Sequence, residues 1–528
     1  MTQAASFKLT YSTMFDFPEE LNRRYSEALL KVKASYGKEY PMIIDGKERF
    51  TSEKHKATSP INTEWHLATF QKGNARDAAD AIHAARQAFP AWSHLHWDER
   101  VYLMRKVADM IDQRIYEIGC VMSLEVGKSR MEALGDAAET ADLIRYACDQ
   151  MEANHGYVRQ MGTDPVKGLE STNHSVLKPY GVWLVISPFN YPAALTGGPS
   201  GAALVAGNTL VIKPATNTSW TPYLLMECMQ EAGIPDGVVN FVTGPGSSLG
   251  KALIESPEID GLTFTGSYDV GMNIHRTFAQ GRYIRPAILE MGGKNPAIVS
   301  RHANLDDAAL GAVRSAFGLQ GQKCSACSRV FVERPVYDTL VDRMVAITEK
   351  LVVGDPTQEG VYMGPVIDKG SYHDYEQFTN ELRQAGEVLT GGKLLTEGEL
   401  GKGYYCAPTI VSDVPLAHPL WKREMFVPIL LVAPVDDLHE AMRRANDVDY
   451  GLTAGFYGTE SEVDWFYDHI QAGVTYANRP QGATTGAWPG FQPFGGMKGS
   501  GSTGKNSGGL YYLPLYLHEQ IRNHVRRI

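Results

Sequence analysis

The chain has 528 residues, 43% hydrophobic and 21% charged, which is typical of a globular protein of roughly two to four domains. Its net charge of −10 argues against nucleic acid or an anionic membrane as the main partner. The N-terminus turns acidic at Asp16, Glu19 and Glu20 without a signal-like apolar core. Six cysteines do not make a disulfide framework in so long a chain, so we expect a cytoplasmic protein of the size of an enzyme, with reduced thiols.

The first part of the chain changes from irregular to helical. Residues 1–60 are polar and irregular, with one expected hairpin at Met42–Lys47, where Asp-Gly supplies the turn. From Asn74 to Gly156 apolar residues recur at helical spacing, which indicates packing faces. Residues 157–179 alternate weakly and are typical of a surface β-arm.

Strands and helices alternate from Gly181 to Glu290, the sequence form of a doubly wound parallel sheet. A second α/β series runs from Asn295 to about Arg479. We therefore predict an α/β protein with two doubly wound parallel-sheet domains. The expected parts are a dinucleotide-binding domain (1–156 and 180–292), a catalytic domain (293–480), and an oligomerisation arm and tail (157–179 and 505–528). The aromatic run Leu510–Tyr516 is expected to dock on a neighbouring subunit of a homo-oligomer.

The stretch Gly318–Arg329 places Cys324 in a loop between a predicted helix and a predicted strand. A thiol in such a loop can face a substrate while a rigid scaffold holds it. The alternative is a small buried residue, the usual role of a free cysteine. Cys324 and Cys327 form a CxxC without a second pair to complete a zinc site, and we expect no metal. A redox pair stays open as the role of Cys327.

Glycine-rich loops give a dinucleotide signal without the usual GxGxxG. Gly244–Gly250 and Thr265–Gly271 each follow a strand and open a helix, where backbone N–H groups can bind a pyrophosphate. Ordinary turn glycines are the alternative. Gly499–Asn506 nearly matches a P-loop, but Asn506 replaces the magnesium-binding Ser or Thr and no strand-to-helix context surrounds it.

Seven motifs, in the right order, resemble the aldehyde dehydrogenase superfamily over essentially the whole chain. They are Ser187–Asn190, Thr209–Pro214, Phe264–Ser267, Glu290–Pro296, Gly321–Cys324, Glu424–Phe426 and Pro493–Gly496. The resemblance implies that Cys324 attacks an aldehyde as a thiolate, forming a thiohemiacetal and then a thioester. It assigns the oxyanion donors to Asn190 and the Cys324 N–H, and the activation of water to Glu290.

The resemblance also implies an NAD site, with NADP possible. The residues implied to bind the cofactor are Ile186, Ser187, Pro188, Lys213, Thr216, Gly246, Gly250, Phe264, Gly266, Ser267, Glu424 and Phe426. Thr216 stands where NAD-preferring relatives often carry an acidic residue that repels a 2′-phosphate. Val427 replaces the usual glycine after Phe426.

Within the superfamily, Gln322–Arg329 and Thr484–Ala487 are similar to the glutamate-γ-semialdehyde (1-pyrroline-5-carboxylate) dehydrogenases of proline degradation. This implies that Gly486, Ala487 and Ser325 hold the substrate carboxylate. Further substrate contacts are implied for Lys323 through its charge, Phe494 through its ring, and Glu132. Two features depart from the branch: Tyr191 replaces its usual Phe, and the loop Asn478–Gly490 carries Pro480 and an Ala487-Trp-Pro sequence.

Several alternatives remain open on sequence alone. The substrate could be another acidic semialdehyde, since a pocket loop can change on a fixed fold. An acylating enzyme is disfavoured by Glu290, whose presence favours hydrolysis. A non-catalytic relative is disfavoured because Cys324, Asn190 and Glu290 occur together. The expected partners are a small aldehyde and further copies of this chain, in a dimer or larger oligomer.

Overall fold

The computed structural model describes residues 8–11, 13 and 18–528; Met1 and Asp16 of the N-terminal prediction lie outside it. Its α-helices are α1 (Glu19–Lys33), α2 (Ala75–His94), α3 (Trp97–Gln113), α4 (Ile115–Val126), α5 (Arg130–Ala153), α6 (Ala194–Ala206), α7 (Trp220–Ala232), α8 (Lys251–Glu255), α9 (Tyr268–Ala279), α10 (Leu305–Phe317), α11 (Tyr337–Thr348), α12 (Lys369–Ala385), α13 (Leu438–Asn446) and α14 (Glu460–His469). Within the described ranges, no helix has the length and hydrophobicity that a membrane span requires.

The strands form two large sheets and three small ones. They are β1 (Lys38–Tyr40), β2 (Met42–Ile44), β3 (Lys47–Arg49), β4 (Lys54–Thr58), β5 (His66–Gln71), β6 (Val158–Gln160), β7 (Leu169–Pro179), β8 (Val182–Ile186), β9 (Thr209–Lys213), β10 (Val239–Phe241), β11 (Gly261–Thr265), β12 (Ala287–Glu290), β13 (Asn295–Val299), β14 (Cys327–Glu333), β15 (Glu387–Thr390), β16 (Thr409–Ser412), β17 (Ile429–Val435), β18 (Tyr450–Gly451), β19 (Thr453–Tyr457), β20 (Val474–Ala477), β21 (Met497–Lys498) and β22 (Leu517–Arg527).

The first large sheet has the order β12-β11-β8-β9-β10-β2-β3, and β8 to β12 run parallel. Strands β8 to β11 are mostly apolar and almost completely buried, as expected for a parallel sheet covered on both faces. The predicted parallel sheet is confirmed. The predicted hairpin is also confirmed: Asp45 and Gly46 take φ of 54° and 70°, and β2–β3 extends the sheet as an antiparallel edge.

The second large sheet has the order β15-β16-β17-β14-β13-β19-β20 and is parallel except for β15. Its central strands are buried, as the predicted second α/β series requires. The chain crosses from the first sheet to the second over the few residues between Glu290, which ends β12, and Asn295, which begins β13. The carboxyl edge of one sheet therefore meets the amino edge of the other.

Helix α1 corrects the prediction that residues 1–60 contain only irregular chain and one hairpin. Tyr25, Leu29 and Val32 lie buried on one face of it, at the i, i+4, i+7 spacing of an amphipathic helix. Acidic residues occupy its first turn and basic residues its last turn, which suits the helix dipole. The sequence signal was present but was not read.

Strand β22 pairs with β7 along their whole length, from Leu517 opposite Pro179 to Arg527 opposite Leu169, and β6 completes an antiparallel arm. The run before β22, Leu510–Tyr516, is divided: Leu510 and Tyr511 are exposed, so docking on a neighbouring subunit stays a prediction, whereas its end packs within this chain. Tyr516 is buried in this chain's own core, with its ring 4.7 Å from Trp183 and its hydroxyl 3.0 Å from Thr263 Oγ1.

Candidate active site

Cys324 lies in the loop that joins α10 to β14. The loop leaves the helix through three consecutive residues with positive φ, Leu319 (49°), Gln320 (56°) and Gly321 (68°). A left-handed conformation costs a non-glycine residue about 1–2 kcal/mol, so this loop needs partners that hold it. It brings the half-buried Cys324 to the wall of a pocket.

Residues from the helical layer of the first domain hold the strained part of this loop. Glu132 of α5 accepts a hydrogen bond from the Leu319 N–H with Oε2, at 2.9 Å. The Gln320 side chain donates to the Gly127 carbonyl at 2.7 Å. Both strained residues are thus anchored outside the loop, which is the condition under which such strain persists.

Two buried asparagines flank the nucleophile. Asn190, in the turn between β8 and α6, donates from Nδ2 to the Gln322 carbonyl at 2.8 Å. Because an amide nitrogen carries two hydrogens, Asn190 can also serve an oxyanion beside Cys324. Asn295 donates to the Cys324 carbonyl at 2.7 Å. The sequence analysis included Asn295 in a motif but gave it no role.

Glu290 lines the same pocket as Cys324. Its Oε2 is buried and has no hydrogen-bond partner among the described residues. Burial raises the pKa of Glu290 to about 8, because a low-dielectric site disfavours the charged form. A carboxyl with such a pKa can work as a base near neutral pH.

The Cys324 thiol is held in its neutral form. Burial raises its pKa to about 12, and the negative charges of Glu424 and Glu290 act in the same direction. The N–H groups of Ser325 and Cys324 act in the opposite direction, since they stabilise a thiolate.

The residues predicted to bind the cofactor gather at the carboxyl ends of the parallel strands, where α/β sheets bind ligands. Strand pairing sets Ile186 beside Lys213, and Thr265 beside Glu290. The remaining positions are Ser187 and Pro188 after β8, Thr216 after β9, Gly246 and Gly250 in the turn before α8, Phe264 in β11, and Gly266 and Ser267 before α9.

The polar groups at this edge have unused hydrogen-bonding capacity. Buried Lys213 donates to the Pro214 carbonyl at 3.0 Å, and burial lowers its pKa to about 8. Ser187 Oγ is buried and has no partner in the described part of the chain. Glu424, from the second domain, accepts from the Gly293 N–H at 2.9 Å with one oxygen. These groups suit the hydroxyls of a dinucleotide.

Phe426 also reaches this edge from the second domain. Its ring lies 5.8 Å from that of Phe189 in an edge-on arrangement. Its own φ is 57°, so the backbone is left-handed there without glycine. Phe426 thus lies beside Phe189, within the motif that contains Asn190.

Four of the residues predicted to bind the substrate line the pocket with Cys324: Ser325, Gly486, Ala487 and Phe494. Gly486 has a φ of 139°, and a side chain there would collide with the Arg479 guanidinium. Thr484 donates to the Ser325 carbonyl at 2.6 Å. The nucleophile loop and the loop that carries Gly486 are therefore bonded to each other.

Lys323 and Glu132, also predicted to bind the substrate, are not among the pocket-lining residues. They form a buried ion pair, with Lys323 Nζ 2.5 Å from Glu132 Oε1. A side chain at Gly318 would collide with this pair, which explains the glycine. Burial opposes the charge on Lys323, but Glu132 together with Tyr11 and Tyr191 outweighs it, and the pKa of Lys323 is raised. The pair therefore stabilises the Cys324 loop and does not line the substrate pocket.

Sequence reasoning gave no site role to several further side chains that line the pocket, among them Tyr11, Glu139, Tyr191 and Trp488. Glu139 follows Glu132 and Asp136 at i+7 and i+3, an acidic stripe in a largely buried helix that could have revealed it. Burial, together with nearby Asp136, raises the pKa of Glu139 to about 8.

Tyr191 and Trp488 appeared in the sequence analysis only as departures from a family pattern. The Lys128 ammonium lies over the ring of Tyr191, 3.6 Å from the ring centroid. Trp488 donates from its indole N–H to Asp142 at 2.9 Å. Tyr11 had no local signal, since its pocket neighbours are hundreds of residues away in the sequence.

Comparisons with known proteins agree with this geometry. Residues 48–521 match the model of the aldehyde dehydrogenase family. A 1-pyrroline-5-carboxylate dehydrogenase from Geobacillus sp. (strain WCH70) is 36% identical over 514 residues, 96% of this chain and 97% of that protein. The 1-pyrroline-5-carboxylate dehydrogenase from Thermus with bound NAD superposes with a TM-score of 0.91 at 34% identity, covering 100% of both chains. An NADP-dependent enzyme from E. coli has a TM-score of 0.85 at 30% identity, covering 93% of this chain and 98% of that one.

Proposed function

The chain belongs to the aldehyde dehydrogenase family, and on this premise we propose that it oxidises L-glutamate γ-semialdehyde to L-glutamate with NAD. The semialdehyde is the open form of 1-pyrroline-5-carboxylate, so the reaction belongs to proline degradation. One observation carries the proposal. A single pocket contains Cys324, Glu290 and groups suited to both charges of an amino acid.

The pocket wall offers a separate partner for each charged group of the substrate. The backbone N–H groups of Gly486 and Ala487 and the hydroxyl of Ser325 suit a carboxylate, because clustered donors form an anion site. The carboxyl of Glu139 suits an α-ammonium group. The ring of Phe494 covers the aliphatic part between them. A neutral aldehyde would leave these polar groups unpaired.

The oxidation begins with the Cys324 thiol. Loss of its proton allows Sγ to add to the aldehyde carbon, and the oxygen that gains charge accepts hydrogen bonds from Asn190 and the Cys324 N–H. NAD, when bound, supplies the acceptor for the hydride. The remaining thioester on Cys324 is hydrolysed by water whose proton Glu290 removes. Aldehyde, water and NAD give acid, NADH and one proton.

The cofactor edge fits a dinucleotide through residues of this chain. Lys213 and Glu424 have free capacity for ribose hydroxyls, and Ser267 at the start of α9 suits the pyrophosphate. Thr216 is half-buried and carries no charge that would repel a 2′-phosphate. We therefore propose NAD as the main cofactor, with NADP accepted.

A different acidic semialdehyde is the second candidate. Tyr191 and Trp488 are bulky, and both line the pocket. They reduce the space around the carboxylate loop, which favours a substrate that is shorter or lacks the α-ammonium group. Succinic semialdehyde is the test compound with this chemistry.

Initial rates of NADH formation across an aldehyde panel test the proposal. The panel compares glutamate semialdehyde, succinic semialdehyde and butanal, each with NAD and with NADP. We expect the highest kcat/KM for glutamate semialdehyde with NAD. A tenfold higher value for butanal would refute carboxylate recognition, and a higher value for succinic semialdehyde would favour the second candidate.

We also propose a homo-oligomer and a cytoplasmic location. The arm formed by β6, β7 and β22 supports the first, since β22 lies at its open edge and is exposed beyond Leu517. The location is supported by the six cysteines, all of which are unpaired. Sedimentation at micromolar concentration tests the oligomer, and a pure monomer would refute it.

A further inference from the structure

Tyr11 connects the two loops that form the substrate pocket. Its hydroxyl lies 2.6 Å from Thr485 Oγ1 and 3.3 Å from Lys323 Nζ. Lys323 immediately precedes the nucleophile, and Thr485 immediately precedes Gly486. The Tyr11 side chain also lines the pocket. One phenol therefore touches both the loop of the reacting thiol and the loop of the proposed carboxylate site.

The chemistry of the donors fixes one of these two directions. An ammonium group only donates, so Tyr11 accepts from Lys323, whereas either hydroxyl can be the donor between Tyr11 and Thr485. The Thr485 hydroxyl in turn lies 3.0 Å from Ser315 Oγ, which accepts from the Thr484 N–H at 3.1 Å. Lys323 and the hydroxyl groups of Tyr11, Thr485 and Ser315 thus form a continuous series of hydrogen bonds.

This series of hydrogen bonds holds the two pocket loops at a fixed separation. At one end Lys323 is bonded to Glu132 of α5. At the other end Thr485 adjoins Gly486, and its carbonyl accepts from Arg479 at 3.1 Å. The direct bond between Thr484 and the Ser325 carbonyl lies on the other side of Cys324. Tyr11 supplies a further tie between the loops, in addition to the bond between Thr484 and Ser325.

We propose that Tyr11 is a specificity-determining positioning residue. Through Thr485 and Lys323 it sets the position of the Gly486 and Ala487 N–H groups relative to Cys324. It thereby favours aldehydes that carry a carboxylate at the matching distance. An uncharged aldehyde does not use those N–H groups and is insensitive to their placement. This inference rests on the proposed function.

If Tyr11 acted only through packing, its substitution would have a different effect on substrate specificity. The Lys323 ammonium and the Arg479 guanidinium lie 5.1 Å and 5.9 Å from the centroid of its ring. Tyr11→Phe keeps this ring and its contacts with the cations and removes only the hydroxyl. A packing role therefore predicts nearly unchanged specificity in this variant, whereas the positioning role predicts a loss confined to acidic substrates.

The experiment is a double-mutant cycle with Tyr11→Phe and Thr485→Val, measured with glutamate semialdehyde and with butanal. Each single variant should lose about tenfold in kcat/KM for glutamate semialdehyde, mainly through KM, since each breaks the bond between Tyr11 and Thr485 and loosens the tie between the loops. The double variant should lose little more, because both substitutions break the same bond. Values for butanal should stay within about twofold.

Tyr102→Phe is the matched control, because this tyrosine is 65% exposed and away from the pocket lining. Equal losses for both aldehydes, or losses that add in the double variant, would overturn the inference. If the unaltered protein does not prefer glutamate semialdehyde to butanal, the proposed function itself fails. If it does and Tyr11→Phe keeps that preference, only the role of Tyr11 fails.

Discussion

The loop backbone around Cys324 and the carboxyl of Glu290 differ in their hydrogen bonding. Around Cys324 the backbone is bonded to other elements at Leu319, at Gln322 and at the Cys324 carbonyl. Glu290, in contrast, has a buried oxygen without a partner among the described residues. Partners make the loop rigid. Burial without a partner gives Glu290 a raised pKa, and so a base that titrates near neutral pH.

The largest effect is expected at Cys324 itself. Cys324→Ala should lower NADH formation by more than about a thousandfold, since removal of a nucleophile abolishes covalent catalysis. NAD binding, followed by quenching of protein fluorescence, should be unchanged because no cofactor contact is removed. Turnover within tenfold of the unaltered protein would mean that the rigid loop does not serve this thiol.

Glu290 should show the next largest effect and a characteristic pH dependence. Its pKa is raised to about 8, so it is mostly protonated at pH 6 and gains base character as the pH rises. We expect turnover to increase with pH and to level off above about 8. Glu290→Gln should lower kcat by about a hundredfold or more and remove this rise.

A pre-steady-state burst of NADH should survive in Glu290→Gln, because the substitution slows hydrolysis of the thioester. Stopped-flow absorbance compares the burst with the slow phase that follows. If burst and steady state fall together, Glu290 acts before hydride transfer instead of after it.

Substitution of Glu132 tests whether its contacts hold the Cys324 loop in place. Glu132→Gln leaves the buried Lys323 ammonium without its carboxylate, which should lower the free energy of unfolding by about 3 kcal/mol. A displaced loop should also lower kcat by about tenfold. Urea denaturation and steady-state rates measure the two effects.

Asp436→Asn is the control for this experiment, because Asp436 pairs with Arg334 on the surface and both side chains are exposed. It should change the free energy of unfolding by less than about 1 kcal/mol. Similar losses in the two variants would show that the Glu132 pair has no special role in holding the loop.

The smallest effect is expected at Thr216, which lies at the proposed cofactor site, away from the Cys324 loop and from Glu290. The Thr216 hydroxyl reaches the Gly244 carbonyl only at 3.5 Å. Thr216→Glu should leave turnover with NAD nearly unchanged and lower kcat/KM for NADP by about tenfold, because two negative charges would meet. An equal loss with both cofactors would place Thr216 away from the 2′-phosphate.

The sequence predicted features that depend on neighbouring residues better than features that bring together residues far apart in the chain. Local periodicity was enough for the parallel sheets, and Lys213 and Glu290 end strands that the sequence analysis had identified. The substrate side combines Tyr11, Glu139 and Trp488 from distant parts of the chain, and no local pattern brings these together. Side-chain pairing was equally hidden, since Lys323 and Glu132 satisfy each other.

Mass spectrometry of Glu290→Gln mixed with NAD and glutamate semialdehyde tests directly whether Cys324 forms the thioester. We expect the protein to gain the mass of one glutamyl group and peptide mapping to place this group on Cys324. The same mixture without NAD should give no stable adduct. A glutamyl group on another residue, or no adduct while the variant still forms a burst of NADH, would contradict the account.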